Sequence, residues 1–151
     1  MRTPFFVRLF LKTAALLLLI TATAKFISLS GSAYILETPE PLLGIPFRDV
    51  FWIVATIETI IAIICLFGKR EALSILFLSW LATNFVAYRT VLWTAGWHKP
   101  CSCLGNLTDA LHIPPQTADT VMKIVLAYLL LGSYASLFWL WRQRRKASAA
   151  Q

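Results

Sequence analysis

Long apolar stretches separated by short polar connections dominate the chain. A helix that crosses a bilayer needs about 20 residues at a rise of about 1.5 Å each. Four stretches are long enough, at about residues 7–29, 50–67, 72–93 and 121–141. Because a lone strand in lipid leaves its backbone groups unsatisfied, each stretch is predicted to be an α-helix. The pattern therefore predicts an all-α integral membrane protein, a four-helix bundle that forms a single domain over residues 1–151.

The connections between these spans differ in length and character. Residues 30–41 hold helix breakers and acids, and residues 68–71 form a tight basic turn. The third connection, residues 94–120, is the longest of the three. Near its end, Thr117 is predicted to be the N-cap of the last helix, with Asp119 in the first turn, where the helix dipole favours a carboxylate.

Composition and charge support a place in the bilayer. Hydrophobic residues make up 58% of the chain and charged residues only 14%, with a mean hydropathy of +0.70. A soluble domain carries about a quarter charged residues. The net charge of +7 arises at the ends of apolar runs and not in a groove-sized patch. No basic nucleic-acid-binding module is present, so a nucleic-acid partner is not expected and the lipid bilayer is.

The basic residues predict the orientation. In a protein of four spans, three basic groups fall on one side: Arg2, Arg8, Lys12, Lys69, Arg70, Arg142, Arg144, Arg145 and Lys146. Acidic residues are concentrated on the other side: Glu37, Glu40, Asp49, Asp109 and Asp119. Lysine and arginine accumulate on the cytoplasmic side of membrane proteins. We therefore predict cytoplasmic termini in a bacterial inner membrane, with residues 94–120 on the oxidising periplasmic face.

The first 24 residues allow a second interpretation. A basic start, an apolar stretch at residues 14–20 and the triplet at residues 22–24 together fit a cleavable signal peptide. Cleavage would leave three spans but would not move the third connection to the other face. The apolar run continues through Phe26, Ile27 and Leu29, which favours a retained helix.

A few charged residues lie within the predicted spans. Glu58 occupies the second span, and an intramembrane carboxylate is costly, usually faces the bundle interior and marks a functional site. Its candidate partner is Lys25, late in the first span, and Arg89 in the third is a second candidate. Either cation could instead extend to the headgroups. Two roles are open for Glu58. It either fixes helix packing or handles protons beside a redox cofactor.

Two cysteines stand one residue apart, at Cys101 and Cys103 in the third connection. Thiolates are the nucleophiles of disulfide exchange, and two neighbouring ones can capture and resolve a mixed disulfide. As a structural staple this pair is poor, because stabilisation grows with the loop that a disulfide closes. Cys65 lies roughly 24 Å below the outer surface by helix rise. At that depth Cys65 cannot meet Cys101 or Cys103 in the folded protein. Any electron relay therefore needs a partner protein or a membrane cofactor.

A metal site is an alternative for the same segment. His98 and His112 extend the two cysteines to four nitrogen and sulfur ligands within fifteen residues. Zinc or copper accepts such a set, although the spacing matches no common structural zinc pattern. A third alternative is a non-catalytic subunit of a larger membrane complex, with the segment as a docking element.

These residues together resemble the MauE family of methylamine-utilisation membrane proteins, within the wider DoxX-like four-helix group. That family carries a lysine late in its first helix, a glutamate in its second and a Cys-x-Cys-Phe-Gly type motif after its third. Lys25 and Glu58 correspond to the first two. Cys101, Cys103 and Gly105 correspond to the motif, which Pro100 directly precedes, with Leu104 in place of the usual phenylalanine.

The resemblance implies periplasmic thiol–disulfide chemistry beside a thioredoxin-like partner, in the maturation of disulfide-rich enzymes. Cys101 and Cys103 would then be the catalytic pair, with Lys25 and Glu58 as supporting intramembrane polar residues. The sequence identifies no cofactor, and a quinone is only a hypothesis.

Overall fold

The computed structural model describes residues 5–30, 34–37, 39–40, 44–96 and 114–148. These residues form the helices α1 (Phe5–Leu29), α2 (Tyr34–Glu37), α3 (Phe47–Phe67), α4 (Glu71–Thr94) and α5 (Pro115–Ser148). The described ranges contain no strand, only one isolated bridge between Pro39 and Pro46. Four of the helices are long and apolar enough to cross a membrane. The predicted all-α, four-span class is thus confirmed, and the chain is a multi-pass membrane protein.

The last helix differs most from its predicted bounds. The predicted apolar stretch runs from residue 121 to residue 141, but α5 begins at Pro115 and continues to Ser148. Proline suits the first position of a helix because it needs no backbone N–H there. The expected N-cap at Thr117 is therefore wrong, since its N–H already bonds to the carbonyl oxygen of Pro114 at 2.9 Å. Asp119 consequently lies beyond the first turn of the helix.

Small residues line the centre of the bundle. α1 packs chiefly along α3, and α4 packs chiefly along α5. Fully buried alanines lie where these helices meet, on α1, α3 and α4: Ala14, Ala15, Ala55, Ala62 and Ala82. Lipid tails are as apolar as leucine, so close backbone approach between small side chains is a main source of helix association in a membrane.

The first helix contributes to this core along most of its length. Val7, Leu11 and Leu18 are buried against residues of the other helices. All three precede Ala24, where a signal peptidase would cut. Cleavage there would remove the inner face of α1 from the bundle.

The spanning helices run alternately up and down, which gives the bundle two ends. At the end that we call the basic end, the starts of α1 and α4 are joined by Arg8 Nε and Glu71 Oε1 at 2.8 Å. At the opposite end, which we call the loop end, an ion pair of Arg89 and Asp119 joins α4 to α5. Residues 97–113, with His98, Pro100, Cys101, Cys103, Gly105 and His112, lie outside the described residues.

Candidate intramembrane site

The antiparallel packing of α1 and α3 directs two charged side chains toward each other. Side chains on a helix tilt toward its N-terminus. Lys25 lies in the last two turns of α1, so its side chain tilts toward the middle of the bundle and away from the nearer end. The tilt of Glu58 on α3 is opposite, toward the loop end. The two directions converge between the helices.

The result is a buried ion pair. Lys25 Nζ lies 2.9 Å from both Oε1 and Oε2 of Glu58. Only 5% of Lys25 and 2% of Glu58 is exposed. Lys25 was expected either to pair with Glu58 or to extend to the headgroups. In the structure it pairs with Glu58.

Thr21 completes the polar surroundings of this pair. Its hydroxyl lies 3.2 Å from Glu58 Oε2 and 3.0 Å from the carbonyl oxygen of Leu18. One hydroxyl carries one proton, so it donates to the carboxylate or to the carbonyl. Lys25 Nζ also lies 3.5 Å from the carbonyl oxygen of Thr21. Sequence reasoning missed this contribution, although Thr21 precedes Lys25 by four residues and therefore shares its helix face.

This arrangement can hold a charge, or pass a proton, inside an apolar bundle. Removing one partner of a buried pair leaves an uncompensated ion, which is far more costly than the pair itself. Proton transfer from the Lys25 ammonium to the Glu58 carboxylate would instead leave two neutral groups. The geometry is compatible with both interpretations of Glu58, an ion pair that fixes helix packing and a group that handles protons.

Arg89 does not take part in this site. Its guanidinium pairs with Asp119 of α5, and Asp119 also accepts from Lys123 Nζ at 2.8 Å. The second candidate partner of Glu58 is therefore wrong, because Arg89 pairs with an acid of α5 instead. Asp119 lies just before the predicted apolar stretch, and the packing of α4 along α5 brings it to the level of Arg89.

A second buried carboxylate lies at the loop end. Glu40 is only 1% exposed, and its Oε1 accepts a hydrogen bond from the hydroxyl of Tyr88 at 2.8 Å. This bond ties the connection before α3 to the outer part of α4. A second contact of this kind joins α4 to α5, where the Thr83 hydroxyl lies 3.0 Å from that of Tyr134.

Cys65 lies far from the loop end. It is buried near the end of α3, and its Sγ is 3.9 Å from the carbonyl oxygen of Ser74 at the start of α4. Among the described residues, no group of three or more histidine, cysteine or acidic side chains could hold a metal ion. The alternative ligand set of His98, Cys101, Cys103 and His112 falls on undescribed residues.

Comparison with protein families places this arrangement in context. The family model of the methylamine utilisation protein MauE matches residues 3–142. The chain belongs to the MauE family. The match covers Lys25, Glu58 and the Cys-x-Cys motif, and it confirms the resemblance seen in the sequence. This MauE-family chain is thus a membrane protein associated with methylamine utilisation. Comparisons with curated proteins and with solved structures found no match.

Proposed function

We propose that this MauE-family protein takes part in periplasmic thiol–disulfide exchange at the inner membrane, with Cys101 and Cys103 as the exchanging pair. The observation that carries the proposal is the buried ion pair of Lys25 and Glu58. An intramembrane charge pair is expensive to bury and is usually retained for function. Its position toward the loop end puts it in the same half of the bundle as Gly96 and Pro114, which flank the cysteine segment.

The exchange itself balances without a cofactor. A thiolate of a thioredoxin-like partner attacks one sulfur of the Cys101–Cys103 disulfide and displaces the other as a thiolate. The second thiol of the partner then attacks the mixed disulfide. The partner leaves with a disulfide, and Cys101 and Cys103 remain as a dithiol, so two electrons and two protons have moved. The reverse direction follows the same steps.

Restoring the starting state of the pair requires a second redox partner. Cys65 cannot serve, because it is buried at the other end of α3. The acceptor would be another thiol protein or a membrane quinone. Oxidation of a dithiol by a quinone moves two electrons and two protons to the ring oxygens. In our proposal, Lys25 and Glu58 handle the protons that are released when the dithiol is reoxidised.

The test is thiol trapping in cells. The variant Cys101→Ser/Cys103→Ser should abolish mixed disulfides with a thioredoxin-like partner and shift that partner's oxidised fraction, as measured by alkylation and gel mobility. Cys65→Ser is the matched control, since it removes a thiol that our proposal does not use. It should leave the partner unchanged.

One outcome would favour the alternative of a non-catalytic subunit. If the double serine variant supports an unchanged partner redox state at normal membrane levels, the cysteines do not exchange disulfides. Co-purification with other membrane proteins at fixed stoichiometry would then be the expected companion result.

A further inference from the structure

The basic end of the bundle carries a cluster of exposed cations. Its exposed basic residues come from the turn before α4 and from the last turns of α5: Lys69, Arg70, Arg142, Arg145 and Lys146. The nearest acid in sequence is Glu71, whose Oε1 binds Arg8 at 2.8 Å. Within the described part of the chain, none of the five cations has an acidic partner within ion-pair distance. These five residues, at the ends of two helices that pack along each other, carry positive charge that pairs with no described acid, and we call them the basic surface.

The two parts of this surface lie at the same depth. The hydroxyls of Thr83 on α4 and Tyr134 on α5 are 3.0 Å apart, which fixes the relative height of these antiparallel helices. Counted from that contact at about 1.5 Å per residue, Arg70 lies roughly 20 Å toward the basic end. On α5, Arg145 lies roughly 17 Å in the same direction. The two arginines are thus level to within about one helical turn.

The arginines of α5 are also seated on aromatic rings. The guanidinium carbon of Arg145 is 3.9 Å from the centroid of Trp141, and that of Arg142 is 5.9 Å from the centroid of Phe138. Such contacts hold a guanidinium in place without neutralising it. Tryptophan favours the level of the lipid headgroups, so Trp141 holds Arg145 at the depth where phosphates lie.

We propose that Lys69, Arg70, Arg142, Arg145 and Lys146 form a binding surface for the phosphates of anionic phospholipids. Basic residues at the end of a transmembrane helix attract anionic lipid headgroups. Guanidinium groups bind phosphate oxygens with two parallel hydrogen bonds, which gives the α5 arginines a geometric preference as well as a charge. The surface is independent of the thiol chemistry proposed above.

Lipid selectivity in a reconstituted bilayer tests this proposal. The full-length protein is placed in phosphatidylcholine bilayers that contain spin-labelled phosphatidylglycerol or spin-labelled phosphatidylcholine. Electron paramagnetic resonance measures the fraction of each lipid held at the protein. At low salt we expect the wild type to prefer phosphatidylglycerol by roughly threefold to tenfold. Raising the salt should reduce this preference through screening.

A pair of charge-matched variants decides whether this surface is responsible. Arg70→Gln/Arg145→Gln should reduce the preference to less than about twofold. Arg48→Gln/Lys123→Gln removes two charges from the loop end and should retain the wild-type preference. Equal losses in both variants would mean that net charge alone attracts the lipid, which would overturn the proposal. A wild type without preference, or a patch variant that keeps it, would overturn it equally.

Discussion

Lys25 and Glu58 pose an energetic problem that neither residue solves alone. An isolated ion between apolar helices is so unfavourable that it would change its protonation state or draw in water. Here the ammonium bonds both carboxylate oxygens at 2.9 Å, and Thr21 adds a hydroxyl at 3.2 Å. Each charge is therefore compensated only while the other is present, and the pair should respond to mutation as one unit.

A double-mutant cycle tests this coupling. Lys25→Met or Glu58→Gln alone should destabilise the protein by about 3 kcal/mol, because each leaves a buried polar or charged group unpaired. The double variant should be less destabilised than the sum of the two single variants. The measurement is thermal unfolding in detergent micelles, followed by circular dichroism. Additive single effects would show that the two side chains do not interact as described.

The hydrogen bond between Tyr88 and Glu40 gives a second prediction about single side chains. Tyr88→Phe removes a donor to a buried carboxylate and should cost about 1.5–3 kcal/mol. Tyr134→Phe is the matched control, because it removes the same atom from a half-exposed contact with Thr83. Its cost in the same unfolding measurement should be smaller. Equal costs would mean that Glu40 gains nothing from the tyrosine.

The ion pair of Lys25 and Glu58 was predictable from the sequence, but the partners of Arg89 and Tyr88 were not. A lone glutamate in an apolar run calls for a cation, and Lys25 was the natural candidate. The pairing of Arg89 with Asp119 was not predicted, because the sequence does not show which side chains of two packed helices lie at the same level. Tyr88 and Glu40 meet through a connection whose path depends on tertiary packing.

At the scale of the helices, hydropathy located every span and misplaced mainly the ends. Hydropathy detects the part of a helix that lies in hydrocarbon, whereas α5 continues through polar residues at both ends. The short helix α2 fell within a predicted loop, since four residues give no periodic signal. Helix ends are thus decided by local turn chemistry and by packing beyond the bilayer core.

The contact between α1 and α5 depends on a glycine. A Cβ at Gly132 would overlap the ring of Phe10, so the missing side chain lets the ring lie against the α5 backbone. Phe10 also packs edge-on against Tyr128, with ring centroids 5.4 Å apart. α5 therefore tolerates little added volume at this position.

Gly132→Ala should destabilise the bundle by about 1–3 kcal/mol through overpacking. In a Phe10→Ala background the same substitution should have little effect, because the obstructing ring is gone. Thermal unfolding of the four proteins in detergent measures the difference. A full cost that persists without the ring would place the strain elsewhere in α5.

At the scale of the whole molecule, the alternation of the helices separates the basic end from the loop end. Basic residues accumulate on the cytoplasmic side of membrane proteins, so we expect the basic end to be cytoplasmic. Alkaline phosphatase should be active when inserted after Gly96, and a fluorescent protein should fold and fluoresce when fused after Gln151. The opposite pattern of activities would reverse the orientation and remove the cysteines from the periplasm.

In our proposal, the buried ion pair of Lys25 and Glu58 serves the redox work of Cys101 and Cys103, so the redox state of the cysteines should depend on the pair. The most direct test is differential alkylation of these cysteines in intact cells, comparing wild type with Glu58→Gln and with Thr56→Ala, an exposed control on the same helix. We expect Glu58→Gln to shift the oxidised fraction of the two cysteines, while Thr56→Ala leaves it unchanged. An oxidised fraction that is the same in all three proteins, at equal membrane levels, would mean that the ion pair does not serve the cysteines.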